Sequence, residues 1–153
     1  MSPRSGAESR RPTVWFELHR HDRHVLVTVF GCLGAVIAAT MALAGLPPVD
    51  LHGPLHAHGI MDPLCGGTRA ARLTAQGDLA TAWAYNPLGI LSVLGATAVA
   101  FRTILGLVSG RWLNAYARLT PNQLRWVAFT AVVLLVALDV RQQLRSDLLM
   151  AGT

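Results

Sequence analysis

The chain has 153 residues, of which 52% are hydrophobic and only 14% charged, with thirteen basic residues against eight acidic and a net charge of +5. An ordinary soluble domain carries roughly 25% charged residues, so the composition argues against a freely soluble globule. Every basic residue is Arg. The arginines flank apolar runs and form no stripe interleaved with aromatics, which argues against nucleic acid as a partner and for a membrane protein.

Residues 1–24 read as a polar, cytoplasmic N-terminal segment bearing Arg4, Arg10, Arg11, Arg20 and Arg23. His19, His21 and His24 lie at its edge with Arg20 and Arg23, where attraction to anionic headgroups is expected rather than metal binding. The first apolar run, Val25 to Leu46, carries no charge. At about 1.5 Å per residue it reaches about 33 Å, enough for a hydrocarbon core of roughly 30 Å. It begins far from the N-terminus and is too long for the core of a signal peptide, so a retained span is expected. Gly31, Gly34 and Ala38 share one side of it. Small residues let a neighbouring helix approach closely, which marks Gly31 and Gly34 as candidate contacts to lipid or to a partner subunit. Pro47-Pro48 stops the helix.

The loop 47–86 holds the unusual chemistry. His52, His56, His58, Asp62 and Cys65 are side chains that ligate zinc or copper. No Cys-x-x-Cys or His-Glu-x-x-His pattern accompanies them. The alternative is a hydrogen-bonded loop turned by Gly53, Pro54, Gly59 and Pro63, and no cofactor is the primary expectation. Cys32 and Cys65 fall at different depths, so no disulfide is expected between them. After Gly66-Gly67, Thr68 can cap a short helix bearing Ala70, Ala71, Leu73 and Ala75. Gly77 breaks it, and Asp78 can cap a second helix running to Tyr85. Two short interfacial helices are therefore predicted to lead into the second span.

Asn86 can cap that span, and Pro87 suits its first turn. The predicted span, 87–108, is interrupted by Arg102. A charge at mid-bilayer costs about 2.5–3.5 kcal/mol on the insertion scale. Arg102 is about 9 Å from the helix end, so it is expected to snorkel to the interface. The alternative is a buried partner, either an anionic lipid headgroup or a carboxylate of another subunit. The third span, about 121–142, follows Thr120-Pro121-Asn122-Gln123, which has the form of a capping box. Its uninterrupted apolar stretch, Trp126 to Leu138, is short, and the helix is expected to run on to about Leu149.

The fold expected is an all-α integral membrane protein: a membrane domain over 25–150 with about three transmembrane helices, and one or two interfacial helices in the first loop. Arginine counts put the N-terminus and the second loop in the cytoplasm, and the first loop and the tail outside. Trp15, Trp112 and Trp126 fall at the inner interface. Arg102 then lies in the inner half of its helix and Asp139 at the outer end of the third, so the two should not pair.

Pro63-Leu64-Cys65-Gly66-Gly67-Thr68-Arg69, then Gly77-Asp78-Leu79-Ala80, then Asn86-Pro87-Leu88 resemble a bacterial membrane family catalogued as domain of unknown function 2752. Its members show Cys-Pro-x-Cys-Gly-x-Thr-Arg, then a Gly-Asp-Leu step and an Asn-Pro helix start. The likeness covers roughly residues 53–108, and Pro54-Leu55-His56 resembles the family's upstream Pro-x-His element. Asp62 stands where the family's first motif cysteine would be, so dithiol chemistry is lost here. If the family motif is redox-active or binds metal through both sulfurs, this member has lost or altered that function; the favoured reading is a structural knot, in which Asp62 caps backbone N–H groups and Arg69 ties the loop to backbone carbonyls or a lipid phosphate.

No serine has a His and carboxylate array, and the spans hold no paired carboxylates, so no enzyme is expected. The primary functional expectation is a non-enzymatic accessory or assembly subunit of a larger complex in a bacterial inner membrane. From the family and from GC-rich coding, a respiratory supercomplex is one candidate. The alternatives are a metal-binding or redox-related protein using the outer loop, and a lipid-interacting or transport component using Arg69, Arg72 and Arg102.

Overall fold

The computed structural model describes residues 13–46 and 61–150. Its elements run β1 (Thr13–His19), α1 (Val25–Ala44), α2 (Gly67–Ala75), α3 (Leu79–Tyr85), α4 (Pro87–Ser109), β2 (Trp112–Arg118), α5 (Pro121–Gln143) and α6 (Ser146–Met150). Three helices, α1, α4 and α5, are long and apolar enough to cross a membrane, with mean hydropathies of 2.3, 1.8 and 1.7. The fold is mostly helical, as the apolar runs predict.

The most closely packed pair of long helices is α1 and α4, which run antiparallel. Glycine makes the approach possible. A Cβ at Gly31 would collide with the Val99 side chain, and one at Gly34 would touch the Ala96 Cβ at 3.4 Å. The small-residue strip of α1 is therefore occupied by α4 of the same chain, not left open for lipid or a partner subunit at these positions. Cys32 Sγ reaches Thr103 Oγ1 across this seam at 3.5 Å.

At one end of the pair, α2 and α3 lie over the beginning of α4. A Cβ at Gly89 would lie 2.6 Å from Ala70 Cβ and 2.7 Å from the Gly67 carbonyl oxygen, so α2 rests almost directly on the α4 backbone. Two α2 side chains reach the end of α1. Arg72 Nε donates to Met41 O at 3.2 Å, a carbonyl that also accepts from Gly45 N, and Gln76 Nε2 donates to Ala42 O at 3.0 Å in the last turn, where carbonyls lack intrahelical partners. Thr68 does not cap α2. That position belongs to Gly66, in the left-handed region at φ +74°, and the helix starts two residues earlier than the Thr68 cap requires. Asp78 does cap α3, accepting from Thr81 N at 3.0 Å.

At the other end, β1 and β2 pair antiparallel, Thr13 opposite Arg118 and His19 opposite Trp112. This ribbon adds strands not predicted from the sequence, one in the N-terminal segment and one in the second loop. It brings together segments about ninety residues apart, as the Arg23 N to Asn114 Oδ1 bond shows (sequence separation 91). Residues 13–24 and the 109–120 connection thus share one end of the described structure. Residues 61–86 and the end of α5 share the other.

The third span is held differently. Its start is fixed by a full capping box, Thr120 Oγ1 accepting from Gln123 N and Gln123 Oε1 accepting from Thr120 N. Along its apolar length α5 packs closely against neither α1 nor α4. Leu138 and Gln142 are its buried residues among those described.

Candidate functional site

The motif segment folds as a polar knot at the end where α3 meets α4. Asp62 Oδ1 accepts from Leu64 N at 2.7 Å, and Cys65 N donates to Asp62 O at 3.0 Å, closing a turn that aims the next carbonyls inward. Asn86, fully buried, reads three groups at once. Its Nδ2 donates to Pro63 O and to Cys65 O, both at 2.9 Å, and its Oδ1 accepts from Leu88 N at 2.9 Å. One side chain therefore caps α4 and holds the motif against it.

Pro87 creates a second requirement. A helix that ended in an ordinary residue could pass its last carbonyls to following N–H groups. Pro87 has none, and Leu88 N is taken by Asn86. Trp83, Ala84 and Tyr85 at the end of α3 are left needing donors. All three come from α5 and the turn after it. Arg141 donates to Trp83 O at 2.5 Å, Arg145 to Ala84 O at 2.8 Å, and Gln142 Nε2 to Tyr85 O at 3.0 Å. Gln142 Nε2 also donates to Cys65 O at 3.0 Å. The Cys65 carbonyl thus accepts from both Asn86 and Gln142, filling both lone pairs. Two cations at the C-terminal end of α3 also suit the partial negative charge there. Arg69 stacks over the Tyr85 ring at 5.8 Å and Arg141 over Trp83 at 5.8 Å.

The thiol of Cys65 faces the other way. It is buried with Met61 and Leu149, Sγ lying 3.4 Å from Met61 Sδ, with Tyr85 packed alongside. Burial, and next the negative charge of Asp62, push the thiol above its usual range. A thiol disfavoured as thiolate is a poor nucleophile. Gly66 is favoured by its φ of +74°, and a Cβ there would lie 2.7 Å from Leu149 Cδ2, so the end of that side chain would have to shift. Among the described residues no group of three His, Cys, Asp or Glu side chains gathers to hold a metal ion. His52, His56 and His58, the other members of the predicted ligand set, lie outside the described residues, as does the Pro54-Leu55-His56 element.

A second polar node sits at the ribbon end. Arg102 neither snorkels free nor waits for another subunit's carboxylate. Its partner is Asp22 of the same chain, Nη2 to Oδ1 at 2.8 Å, with the Asp22 side chain 9% exposed. The guanidinium also donates to Thr28 Oγ1 at 2.9 Å, Leu113 O at 2.5 Å and Asn114 Oδ1 at 3.2 Å. Its plane lies over Trp112 at 5.6 Å. Thr28 Oγ1 and His24 N donate to the Asp22 carboxylate. Burial alone would raise the Asp22 pKa. The bonds from Arg102, Thr28 and His24 outweigh it and hold the group at about 2. The arrangement satisfies a charge on a membrane helix with groups from four residues at once, which is how such a charge is tolerated.

An apolar cleft of about 1060 Å³ opens between α1, α2 and α4, lined by Val36, Ile37, Met41, Ala71, Leu88 and Leu91. The Thr40 and Ser92 hydroxyls on its wall are bonded to their own helix carbonyls.

Sequence reasoning found the motif, Asn86 and Asp78, but missed Arg141, Gln142, Arg145 and Asp22. The available signal was Asn86-Pro87 itself. A helix ending before proline needs donors for its last carbonyls, and 141, 142 and 145 present three on one helical face. A family model described as Protein of unknown function (DUF2752) matches residues 55–100. No curated protein and no solved structure matches the chain.

Proposed function

The chain belongs to the DUF2752 family through residues 55–100, and we propose that it serves as a non-enzymatic accessory or assembly subunit of a larger membrane complex. The observation that carries this reading is the state of α5. It is anchored by polar bonds at its outer end, yet its apolar length is left exposed, from Trp126 and Phe129 through Val133 to Val136. A span fixed at its end but uncovered along its sides presents a surface for other transmembrane helices. The strongly polar groups point the same way. Arg102, Asn86, Gln142, Arg141 and Arg145 are bound to groups of their own chain, so they build architecture. The arginine distribution supports a bacterial inner-membrane orientation with the ribbon end in the cytoplasm.

The test is extraction from native membranes in mild detergent or polymer discs, followed by mass measurement of the intact particle. The expected result is a particle containing other membrane proteins, cross-linked to α5 through a photoreactive residue at position 129 or 133. Recovery as a lone monomer, with no cross-link to protein, would refute the proposal.

A lipid role is the second reading, favoured by the apolar cleft. An acyl chain seated there would be retained through delipidating washes and lost when Ala71 and Leu91 are enlarged to Phe.

A further inference from the structure

The ribbon has two unlike faces. One bears Trp15, Glu17 and His19 from β1 and Trp112, Asn114 and Tyr116 from β2. Asn114 on this face is fully buried against Arg102 and the Arg23 backbone, and Trp15 stacks on Tyr116 at 5.5 Å. The opposite face bears Val14, Phe16 and Leu18 with Leu113, Ala115 and Ala117, all exposed. The register sets Val14 beside Ala117, Phe16 beside Ala115 and Leu18 beside Leu113. The six residues therefore form one continuous apolar surface.

The depth of this surface identifies its surroundings. A Cβ at Gly106 would collide with the Trp112 ring, and Arg102 holds Leu113 O. Arg102 is seven residues before Ser109, about 10 Å back along α4. The ribbon thus folds back beside the last two turns of α4, not beyond the helix end. Leu26 and Phe30 of α1 and Leu105 and Val108 of α4, near the same ends of those helices, are exposed as well. A two-stranded ribbon also has two unpaired edges whose backbone groups need water, so it cannot sink into hydrocarbon. Arg20 and Arg111 flank one end of the ribbon and Arg118 the other, at positions suited to lipid phosphates.

We propose that the ribbon is an interfacial anchor lying in the plane of the leaflet boundary, with Val14, Phe16, Leu18 and Leu113 against acyl chains and its edges among headgroups. It fixes the depth of the α1–α4 pair through Arg102 and Trp112.

The test is site-directed spin labelling of the full chain in liposomes of phosphatidylethanolamine and phosphatidylglycerol. The background is C32S, with the buried Cys65 retained. The same chain without an introduced cysteine must take up no label. Single substitutions run from Val14→Cys to Leu18→Cys and from Leu113→Cys to Ala117→Cys. Relaxation is read with oxygen, which partitions into lipid, and with a water-soluble nickel chelate. The expected result is a period of two, with labels at 16, 18, 113, 115 and 117 favouring oxygen and a label at 17 favouring nickel. Ala115→Cys and Ala117→Cys remove little apolar contact and carry the test if Phe16→Cys disturbs the fold. Nickel accessibility at 16 and 115 equal to that at 17 would overturn the proposal by placing the face in water. Protection of those labels from both agents would overturn it by showing a protein cover.

Discussion

The side-chain amide of Gln142 donates to the carbonyl oxygen of Cys65 at 3.0 Å, joining the end of the third span to the centre of the family motif. The same carbonyl accepts from Asn86. What the motif contributes at this position is a backbone oxygen aimed by a tight turn, while the sulfur packs behind it. Pro87 makes the arrangement necessary by denying α3 its usual donors.

Replacing Gln142 with Leu removes the donor shared by Cys65 O and Tyr85 O, leaving Tyr85 O without its α5 donor. An unsatisfied buried polar group costs about 1–3 kcal/mol. The variant should unfold at lower temperature in detergent, and its Cys65 should label faster with maleimide because Leu149 and Met61 loosen together. Unchanged melting and labelling would show that α5 does not depend on this contact.

Asn86→Asp keeps the acceptor for Leu88 N but exchanges the two-donor amide for an acceptor facing Pro63 O and Cys65 O. It should destabilise more than Asn86→Ala, because a buried charge is then set against two carbonyls. Thermal melting of the two variants side by side decides this, and the reverse order would contradict the assigned bond directions.

Gly89→Ala places a methyl against the α2 backbone at Gly67 and Ala71, which cannot yield as a flexible side chain would. Overpacking of this kind costs about 1–3 kcal/mol. Gly95→Ala, with nothing within 4 Å of its added carbon, should be neutral. Comparing their melting temperatures checks the α2–α4 contact against a control on the same helix.

Asp22 titrates at about 2 in the folded chain, against about 3.9 for a free aspartate. A depressed folded pKa stabilises fully above the unfolded value, and the contribution is lost as pH falls through the folded one. The stability gap between the parent chain and Asp22→Asn should therefore be constant from neutral pH to about 5 and close between roughly pH 4 and 2. Unfolding followed by tryptophan fluorescence at the ribbon measures it. A gap that persists at pH 2 would contradict the pairing with Arg102.

The parts of this fold that were legible in the sequence are those fixed by neighbours along the chain. Long apolar runs gave α1 and, despite Arg102, α4; Asn86-Pro87 gave the start of α4, and Thr120 with Gln123 gave the start of α5. The ribbon was present as alternation in Phe16-Glu17-Leu18-His19, but a strand needs a partner, and β2 lies far along the chain. Arg102 was recognised as costly. Its carboxylate could not be found by periodicity, because Asp22 is 80 residues away and outside any span. Gln142 was hidden for a similar reason: polar residues at the end of a span read as an interface until the orphan carbonyls of α3 are counted.

The most direct test of the account is to set Cys65→Ala against Gln142→Leu in native membranes and to weigh the particles recovered in mild detergent. If the motif is architectural, Cys65→Ala keeps the carbonyl and its two donors and should leave the assembly intact, with a stability loss of about 1 kcal/mol for the lost sulfur contact. Gln142→Leu should release the chain from its partners. Loss of the assembly with Cys65→Ala and retention with Gln142→Leu would contradict the account, because the sulfur would then be the working atom.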